Sequence, residues 1–485
     1  MEKLEALNGS AKGNEIRNLL QSLETGSEDK NSTPSAKLQL LVRLKSQIVS
    51  AEVASLLTES DIRTLCHYAF YGDLHSEYSD LIIESSQTAL KCLANVLLLN
   101  KTSRQFFVDG SHAKAAAKML NRSQEDELLC SRILFLLTYD TNFEFDELFE
   151  NYHLAQNIHK NIAFHAVKYV RYKEGTEQGE NADSLPVLNP AALTETLKLL
   201  FNLTQFYPRY SGVFIDTIEA ILEILITIKL QQQPIQPPVT QLINALLNLD
   251  LSAVPDSEDN TPLFPKENPH QNYLRLIAIL NSAVRNLKEE ELETAVPLVT
   301  LLRRVYELAP NPIKAEMQSH LLPSNSERAQ PLGKSDSLPS QLLRLSTSPI
   351  APNLREGISS LLFELSDKDA TTFVRNVGYG FAAGFLMTHS LSVPDGTLGN
   401  TSNEGEGIDP GEKMTKVDGR EINPITGQRR DMEPEDSLPE MTDEEKEQEA
   451  EKLFVLFERL KATGVMNVVN PVEQAARDGR FEEID

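Results

Sequence analysis

Tryptophan is absent from this chain, aromatic residues make up only 6% of it, and cysteine occurs three times. The shortage of aromatics argues against a sandwich or barrel and favours aliphatic, leucine-rich helix packing. Cys66, Cys92 and Cys130 are odd in number and have no metal-ligand spacing, which points to plain thiols in a reducing compartment. No apolar core occurs in Met1 to Glu24, so no signal peptide is expected. Long apolar runs are also missing. Stretches such as Ala220 to Ile228 fall far short of a membrane span and are interrupted by Glu223. Positive charge is scarce, and the formal net charge is −25. Nucleic-acid binding needs clustered Lys and Arg, and an anionic membrane would repel such a chain. The expectation is a soluble cytoplasmic monomer with no transmembrane segment, nucleic-acid partner, cofactor or metal.

What is present is a 40% hydrophobic content spread over 485 residues, too many for a single core. The chain must split into domains or extend as a repeat array. Nearly all periodic segments read as helices. Leu90, Leu93, Ala94 and Leu97 recur at i, i+3, i+4 and i+7, and Leu193, Leu197 and Leu200 form another stripe. Turn-rich breaks fall at 24–36, 172–190, 231–238, 253–268 and 323–339.

An internal repeat is the informative feature. Thr196-Leu-Lys-Leu-Leu-Phe-Asn-Leu-Thr204 aligns with segments beginning at Ala89, Cys130, Leu242 and Ile358. The frame position held by Asn95 recurs at Leu136, Asn202, Asn248 and Glu364, in steps of 41, 66, 46 and 116 residues. The first and third steps match an armadillo or HEAT unit, and the last has room for two units plus loops. Such a unit cannot bury its apolar face alone, so neighbours must stack into a curved solenoid with a concave face.

Catalytic motifs are not found. Gly378-Tyr-Gly380-Phe-Ala-Ala-Gly384 has the wrong spacing for a dinucleotide fingerprint and no βαβ context. Gly333-Lys334-Ser335 lacks the first P-loop glycine, whose place Arg328 holds. His153, His159 and His165 are six apart, which rotates each away from the last on a helix. Cys66 and His67 are neighbours and cannot both address one reacting atom from a helix. An enzyme with a chemical active site is not expected.

Polar residues inside the repeat offer a different chemistry. Lys91 and Asn95, Arg132 and Leu136, Lys198 and Asn202, and Asn244 and Asn248 are i, i+4 pairs at one repeat position. Stacking would align them along one face. A row of amides there could bond the backbone of a bound segment, and the cations could hold carboxylates. Alternatively, each Asn bonds a neighbouring helix and serves stacking alone, since buried polar groups need partners either way.

After residue 389 the composition changes. Residues 390–440 are rich in Gly, Pro, Asn and acids and read as a flexible acidic linker. Residues 391–485 hold 24 acids and 11 bases, so half of the net charge lies in the last fifth of the chain. An amphipathic helix is then expected over 441–463, with a tail at 464–485. Thr442-Asp-Glu-Glu445 is a capping box, and Ala450, Leu453, Phe454, Phe457 and Leu460 form one apolar stripe. That stripe needs a surface to cover, either the repeat domain (1–389) or a partner.

At this point a family resemblance becomes visible. Phe373-Val-Arg-Asn-Val-Gly-Tyr-Gly-Phe-Ala-Ala-Gly-Phe-Leu386 resembles the glycine-rich segment that closes the repeat region in the synembryn family. Ile422-Asn-Pro-Ile-Thr-Gly427 resembles that family's downstream Asn-Pro-x-Thr-Gly element, and Met441 to Leu453 its C-terminal helix. The order and spacing of the three agree, and the details lean toward a fungal member. The resemblance implies an all-α, armadillo/HEAT-like right-handed superhelical solenoid that acts on G-protein α subunits. It would promote GDP release, stabilise the nucleotide-free α subunit and assist its folding. A generic solenoid adaptor holding an extended or helical peptide is the alternative. Carried onto this chain, the groove for the α subunit's C-terminal helix is Lys91, Asn95, Arg132, Lys198, Asn202 and Asn248. The second contact is Leu453, Phe454, Phe457 and Leu460. Its partner would recruit the protein to the cell cortex. Animal members carry a dense acidic Ser/Thr cluster in which phosphorylation enhances activity. Here only Thr401 and Ser402, near Glu404 and Glu406, and Ser437, near Glu440, are candidates.

Overall fold

The computed structural model describes residues 11–28, 33–71, 79–252, 261–391, 416–417 and 419–433. The expected helix at 441–463, with Leu453, Phe454, Phe457 and Leu460, lies outside the described residues, as do the tail and Thr401, Ser402 and Ser437. The described chain is all-α apart from one short hairpin. Its first helices are α1 (Ala11–Glu28), α2 (Pro34–Gln47), α3 (Ala51–Ala54), α4 (Glu59–Phe70), α5 (Ser79–Leu99), α6 (Lys101–Asp109), α7 (Ala113–Met119), α8 (Gln124–Leu137), α9 (Asp146–Asn151) and α10 (Leu154–Glu177). They are followed by α11 (Pro190–Phe206), α12 (Thr217–Thr227), α13 (Val239–Asn248), α14 (Gln271–Asn286), α15 (Val296–Leu308), α16 (Asn311–Leu321), α17 (Leu338–Leu345), α18 (Pro352–Glu364), α19 (Ala370–Val377) and α20 (Tyr379–Thr388). Strands β1 (Lys416–Val417) and β2 (Arg420–Glu421) pair antiparallel.

Local chemistry starts these helices. Thr33 and Asn189 cap α2 and α11, each followed by a proline at the first helical position, where a missing N–H costs nothing. Thr58 and Asp61 form a full capping box on α4. Helix α10 runs through Glu177, so the break expected from Tyr172 begins later, after a stretch whose only helix breaker is Gly175.

Packing follows the repeat frame. Helices α2, α5, α8, α11, α13, α15 and α18 each contact the next, making one row. A second row runs α10, α12, α14 and α17, with α1, α4 and α6 in succession at the N-terminal end. Contacts between α4 and α5, α10 and α11, and α14 and α15 tie the rows together. In the first row, Leu93, Leu134, Leu200, Leu246, Leu302 and Leu362 occupy one frame position, and all are buried. Each such leucine contributes ~1.5–3 kcal/mol of hydrophobic stabilisation. Helix α15 supplies the unit concealed in the 116-residue step, because Arg304 stands at the frame position of the asparagines.

Helix α5 corrects one expectation. At 21 residues it is long and apolar enough to cross a membrane by length and composition. Here Leu90, Cys92, Leu93, Val96 and Leu97 are fully buried among α2, α4 and α8. Burial also pushes the Cys92 thiol up to about 12, leaving it unreactive at neutral pH.

The repeat-bearing unit runs on to Arg429 instead of ending at 389, because residues 422–429 return to it. Gly378 joins α19 to α20 at φ +84°, and a Cβ there would lie 3.0 Å from the Ile425 carbonyl oxygen. That close approach lets the first N–H groups of α20 find partners: Tyr379 donates to the Pro424 carbonyl (2.8 Å) and Gly380 to that of Ile425 (3.1 Å). Asn423 folds the strap by accepting from the Ile425 and Thr426 N–H groups. Arg328, only 2% exposed, donates to the carbonyls of Gly427, Arg375 and Asn376. Part of the segment read as flexible linker is therefore built onto the last helices.

Arginines collect helix-end carbonyls elsewhere too. Arg104 Nε donates to the Leu97 carbonyl (2.6 Å), and its Nη atoms reach the carbonyls of Leu98 and Tyr139. Arg104→Ala is expected to lower the urea midpoint, with a loss of about 2–3 kcal/mol, because helix-end carbonyls lose a charged donor.

Candidate partner-binding face

The sequence repeat places Lys91, Arg132 and Lys198 on consecutive helices of the first row, α5, α8 and α11. Their side chains keep 39%, 41% and 37% of their surface exposed. Each is held by a carboxylate. Lys91 pairs with Glu125 at 2.7 Å, while Arg132 and Lys198 converge on one oxygen of Glu195 at 2.9 and 3.0 Å. Glu195 is 4% exposed. Burial alone would raise its carboxyl, but the hydrogen bonds from Arg132 and Lys198 outweigh that and hold it below the usual carboxylate range. The buried anion thus fixes two half-exposed cations and leaves the trio one positive charge in excess.

Beside the cations lies an aromatic ledge that sequence reasoning missed. Phe135 packs edge-on against Tyr139 (centroids 5.4 Å), and Tyr139 packs edge-on against Phe206 (5.9 Å). Tyr139 and Phe206 are 38% and 50% exposed, and Leu98 at the end of α5 is 58% exposed. A signal existed in the repeat. Phe135, Phe201 and Phe363 share the frame position before the asparagine, and all three are half-buried.

The asparagines divide. Asn95 is half-buried, and among the described residues its amide has no hydrogen-bond partner. Asn202, by contrast, is 2% exposed; its amide donates to Thr138 Oγ1 (2.7 Å) and accepts from the Tyr139 hydroxyl (3.3 Å). It joins α11 to the end of α8 and presents almost no surface to a ligand. Asn248 donates to the Phe201 carbonyl (3.2 Å), so it too bonds the preceding helix. The stacking alternative therefore describes Asn202 and Asn248, and the polar face reduces to Lys91, Asn95, Arg132 and Lys198.

A second charged station lies further along the row. Glu364, 5% exposed, accepts from Arg303 (2.7 Å), and Lys368 lies 3.9 Å away. The histidines point apart, as their spacing requires. His165 is buried against Glu127 (3.1 Å), His159 bonds Thr217, and His153 precedes α10 in the left-handed region. Among the described residues no group of three His, Cys, Asp or Glu side chains could hold a metal. The Ser335 hydroxyl donates to Glu327, so the former P-loop lookalike already faces an anion.

Paired cations and exposed aromatics are thus carried on successive helices of the first row, an arrangement of a helical-repeat protein with no metal-binding cluster among the described residues. Comparison with known proteins gives that class its family. A model of the guanine nucleotide exchange factor synembryn family matches residues 37–480, and the chain belongs to that family. It is 30% identical over 313 residues to a synembryn-like chaperone of Schizosaccharomyces pombe, covering 61% of this chain and 56% of that protein. It is 26% identical over 462 residues to chaperone Ric-8A of Gallus gallus, covering 87% and 82%. To chaperone Ric-8A of Mus musculus it is 25% identical over 471 residues, covering 89% and 82%.

The two polar types should separate in mutation. Asn202→Ala removes a buried amide that ties the half-exposed Thr138 hydroxyl and Tyr139 phenol to α11, and is expected to cost about 1–2 kcal/mol. Lys198→Ala, at a half-exposed site, should stay within about 0.5 kcal/mol of the parent. Chemical denaturation of the two variants checks the difference.

Proposed function

We propose that this chain is a guanine nucleotide exchange factor and folding chaperone for heterotrimeric G-protein α subunits, built as an armadillo/HEAT-like right-handed superhelical solenoid. The row of α5, α8 and α11 forms the floor of its trough, which takes the α subunit's C-terminal helix. Lys91, Arg132 and Lys198 receive the acidic groups and terminal carboxylate of that helix, and Asn95 bonds its backbone. Phe135, Tyr139 and Phe206 cover its apolar side. The helix at 441–463 makes the second contact, through Leu453, Phe454, Phe457 and Leu460, with the nucleotide-binding part of the same subunit.

The observation that carries this reading is the cation row: three half-exposed cations on successive helices, each oriented by an acid. Pre-set cations lose less side-chain entropy on meeting a carboxylate than free ones do. Family membership supplies the reaction. No catalytic side chain is needed. A protein that binds the nucleotide-free state more tightly than the GDP state weakens GDP binding by the same factor. A hundred-fold preference corresponds to about 2.7 kcal/mol. Binding an open, unstable conformer also protects it by mass action, which is a chaperone's role. The protein would act as a monomer in the cytoplasm, without spanning a membrane, and reach the cell cortex with its client.

GDP release from a purified α subunit tests the reading. The chain should accelerate release; a peptide-binding adaptor would leave the off-rate unchanged. Replacing Lys91, Arg132 and Lys198 together by alanine should weaken capture of the α subunit's C-terminal peptide about ten-fold or more and flatten its salt dependence. Deleting 441–485 should slow exchange far more than it weakens peptide capture. Equal losses in both assays would argue against two separate contacts.

A further inference from the structure

A cleft of about 670 Å³ opens on the second row, where the last turns of α10 and α12 come together beside Arg275 of α14. Its walls are aliphatic, from Leu188, Pro190, Ile226, Leu230 and Pro237, and its volume lies within the range of about 300–1,000 Å³ typical of small-molecule sites. Cations gather here in an otherwise acidic chain. Lys173, Lys229 and Arg275 line the cleft against one acid, Glu177, a local excess of two positive charges. Among the described residues neither lysine makes an ion pair. Arg275 Nε donates to the Leu225 carbonyl (2.7 Å) and its Nη2 to that of Ile228, so it closes the end of α12. Its Nη1 has no partner among the described residues, and no carboxylate pairs with it. Burial without an acid pulls its guanidinium below the usual arginine range. Tyr169 is only 5% exposed and also lines the cleft. Its hydroxyl makes no hydrogen bond among the described residues, whereas a buried phenol normally has a partner. Burial also raises that phenol above its ordinary pKa, which keeps it a donor.

Arg104 shows what an arginine does when it only closes helix ends: it also has an acid, Asp140, at 3.3 Å. Arg275 closes a helix end in the same way but lacks the acid. We propose that the cleft is a binding site for a single-chain amphipathic anion. The Tyr169 hydroxyl, Arg275 Nη1 and the two lysines hold its carboxylate or phosphate head group, and Leu188, Ile226 and Leu230 cover its aliphatic body. The lining dictates this chemistry. Guanidinium and ammonium N–H groups only donate, so the head group must accept, and a charged acceptor is held about twice as strongly as a neutral one. A small inorganic anion would leave the aliphatic walls in water, whereas each methylene that covers them contributes about 0.8 kcal/mol. None of Lys91, Arg132 and Lys198 lines the cleft, so the site does not depend on the exchange-factor reading.

The absence of tryptophan gives a direct test, because Tyr172→Trp places a single reporter at the rim of the cleft in the full-length chain. Titration with dodecanoate or dodecyl phosphate, kept below their micelle concentrations, should shift its emission saturably with one site per chain. Dodecanol and dodecyltrimethylammonium should bind at least ten-fold more weakly, and decanoate about ten-fold more weakly than dodecanoate. In the reporter background, Tyr169→Phe removes one hydroxyl and should weaken dodecanoate binding about ten-fold without lowering the melting temperature. Lys173→Gln with Lys229→Gln alters only the rim and should weaken it by a similar factor and remove most of its salt dependence. Either anion binding more tightly supports the site, and the tighter of the two tells a fatty-acid head group from a phosphate. The proposal is overturned if neither anion saturates the reporter, if dodecanol binds as well as dodecanoate, or if Tyr169→Phe and the lysine pair both bind like the parent.

Discussion

The register between stacked helices depends on one recurring contact. From α11 onward, a polar side chain at the frame position of the repeat reaches back to the helix before it. Asn202 bonds Thr138, Asn248 bonds the Phe201 carbonyl, Arg304 bonds the Leu247 carbonyl (2.6 Å), and Glu364 receives Arg303. Leucine packing supplies most of the stabilisation but is non-directional, and aliphatic ridges tolerate a range of crossing angles. A polar group that is buried and left unpaired costs about 1–3 kcal/mol. The reach-back bond therefore selects one helix register among several that the leucines alone would allow.

Register decides where charge can be placed. Glu195 belongs to α11, yet it neutralises Arg132 of α8 as well as Lys198 of its own helix. A slip of one turn between those helices would separate the first pair and leave a buried carboxylate half-satisfied. The same geometry explains how a chain of net charge −25 can offer a cationic face. At physiological ionic strength the Debye length is about 8 Å, so acids elsewhere on the surface are largely screened from the cation row. A group brought to the row would therefore meet its local balance more than the global charge.

How much of this was legible beforehand follows from the physics of each feature. The repeat was readable because burial acts on a periodic pattern: Leu93, Leu134 and Leu200 recur at one frame position, and all three are buried. Helix α15 escaped because arginines fill two of its frame positions, hiding Leu298 to Tyr306 from a match built on asparagine and phenylalanine. Lys91, Arg132 and Lys198 were legible as a row, since stacking aligns equivalent positions. Whether an asparagine faces out or back was not, because that depends on side-chain direction within one turn. Asn95 and Asn202 are equivalent in sequence but differ in burial and bonding. The strap was hidden for a related reason. Its Gly427 looks like linker composition, and only the partners met across some 50 to 100 residues of chain reveal that Gly427 and, at the start of α20, Gly378 are close-approach positions.

A grip on a client's terminal helix cannot by itself drive nucleotide release. If the trough held that helix equally well in both nucleotide states, it would shift no equilibrium, however tight the grip. The work must come from a difference: strain transmitted when the helix is drawn away from the nucleotide pocket, or a contact available only in the open state. In the proposed reading the cation row would supply the first, since its cations are fixed in place by Glu125 and Glu195 and a bound helix would have to adapt to them. A second contact, made only with the open state, would supply the other. A grip that strains the helix and a contact that recognises the opened subunit would then be two halves of one requirement, since either alone leaves the other state's affinity to set the balance.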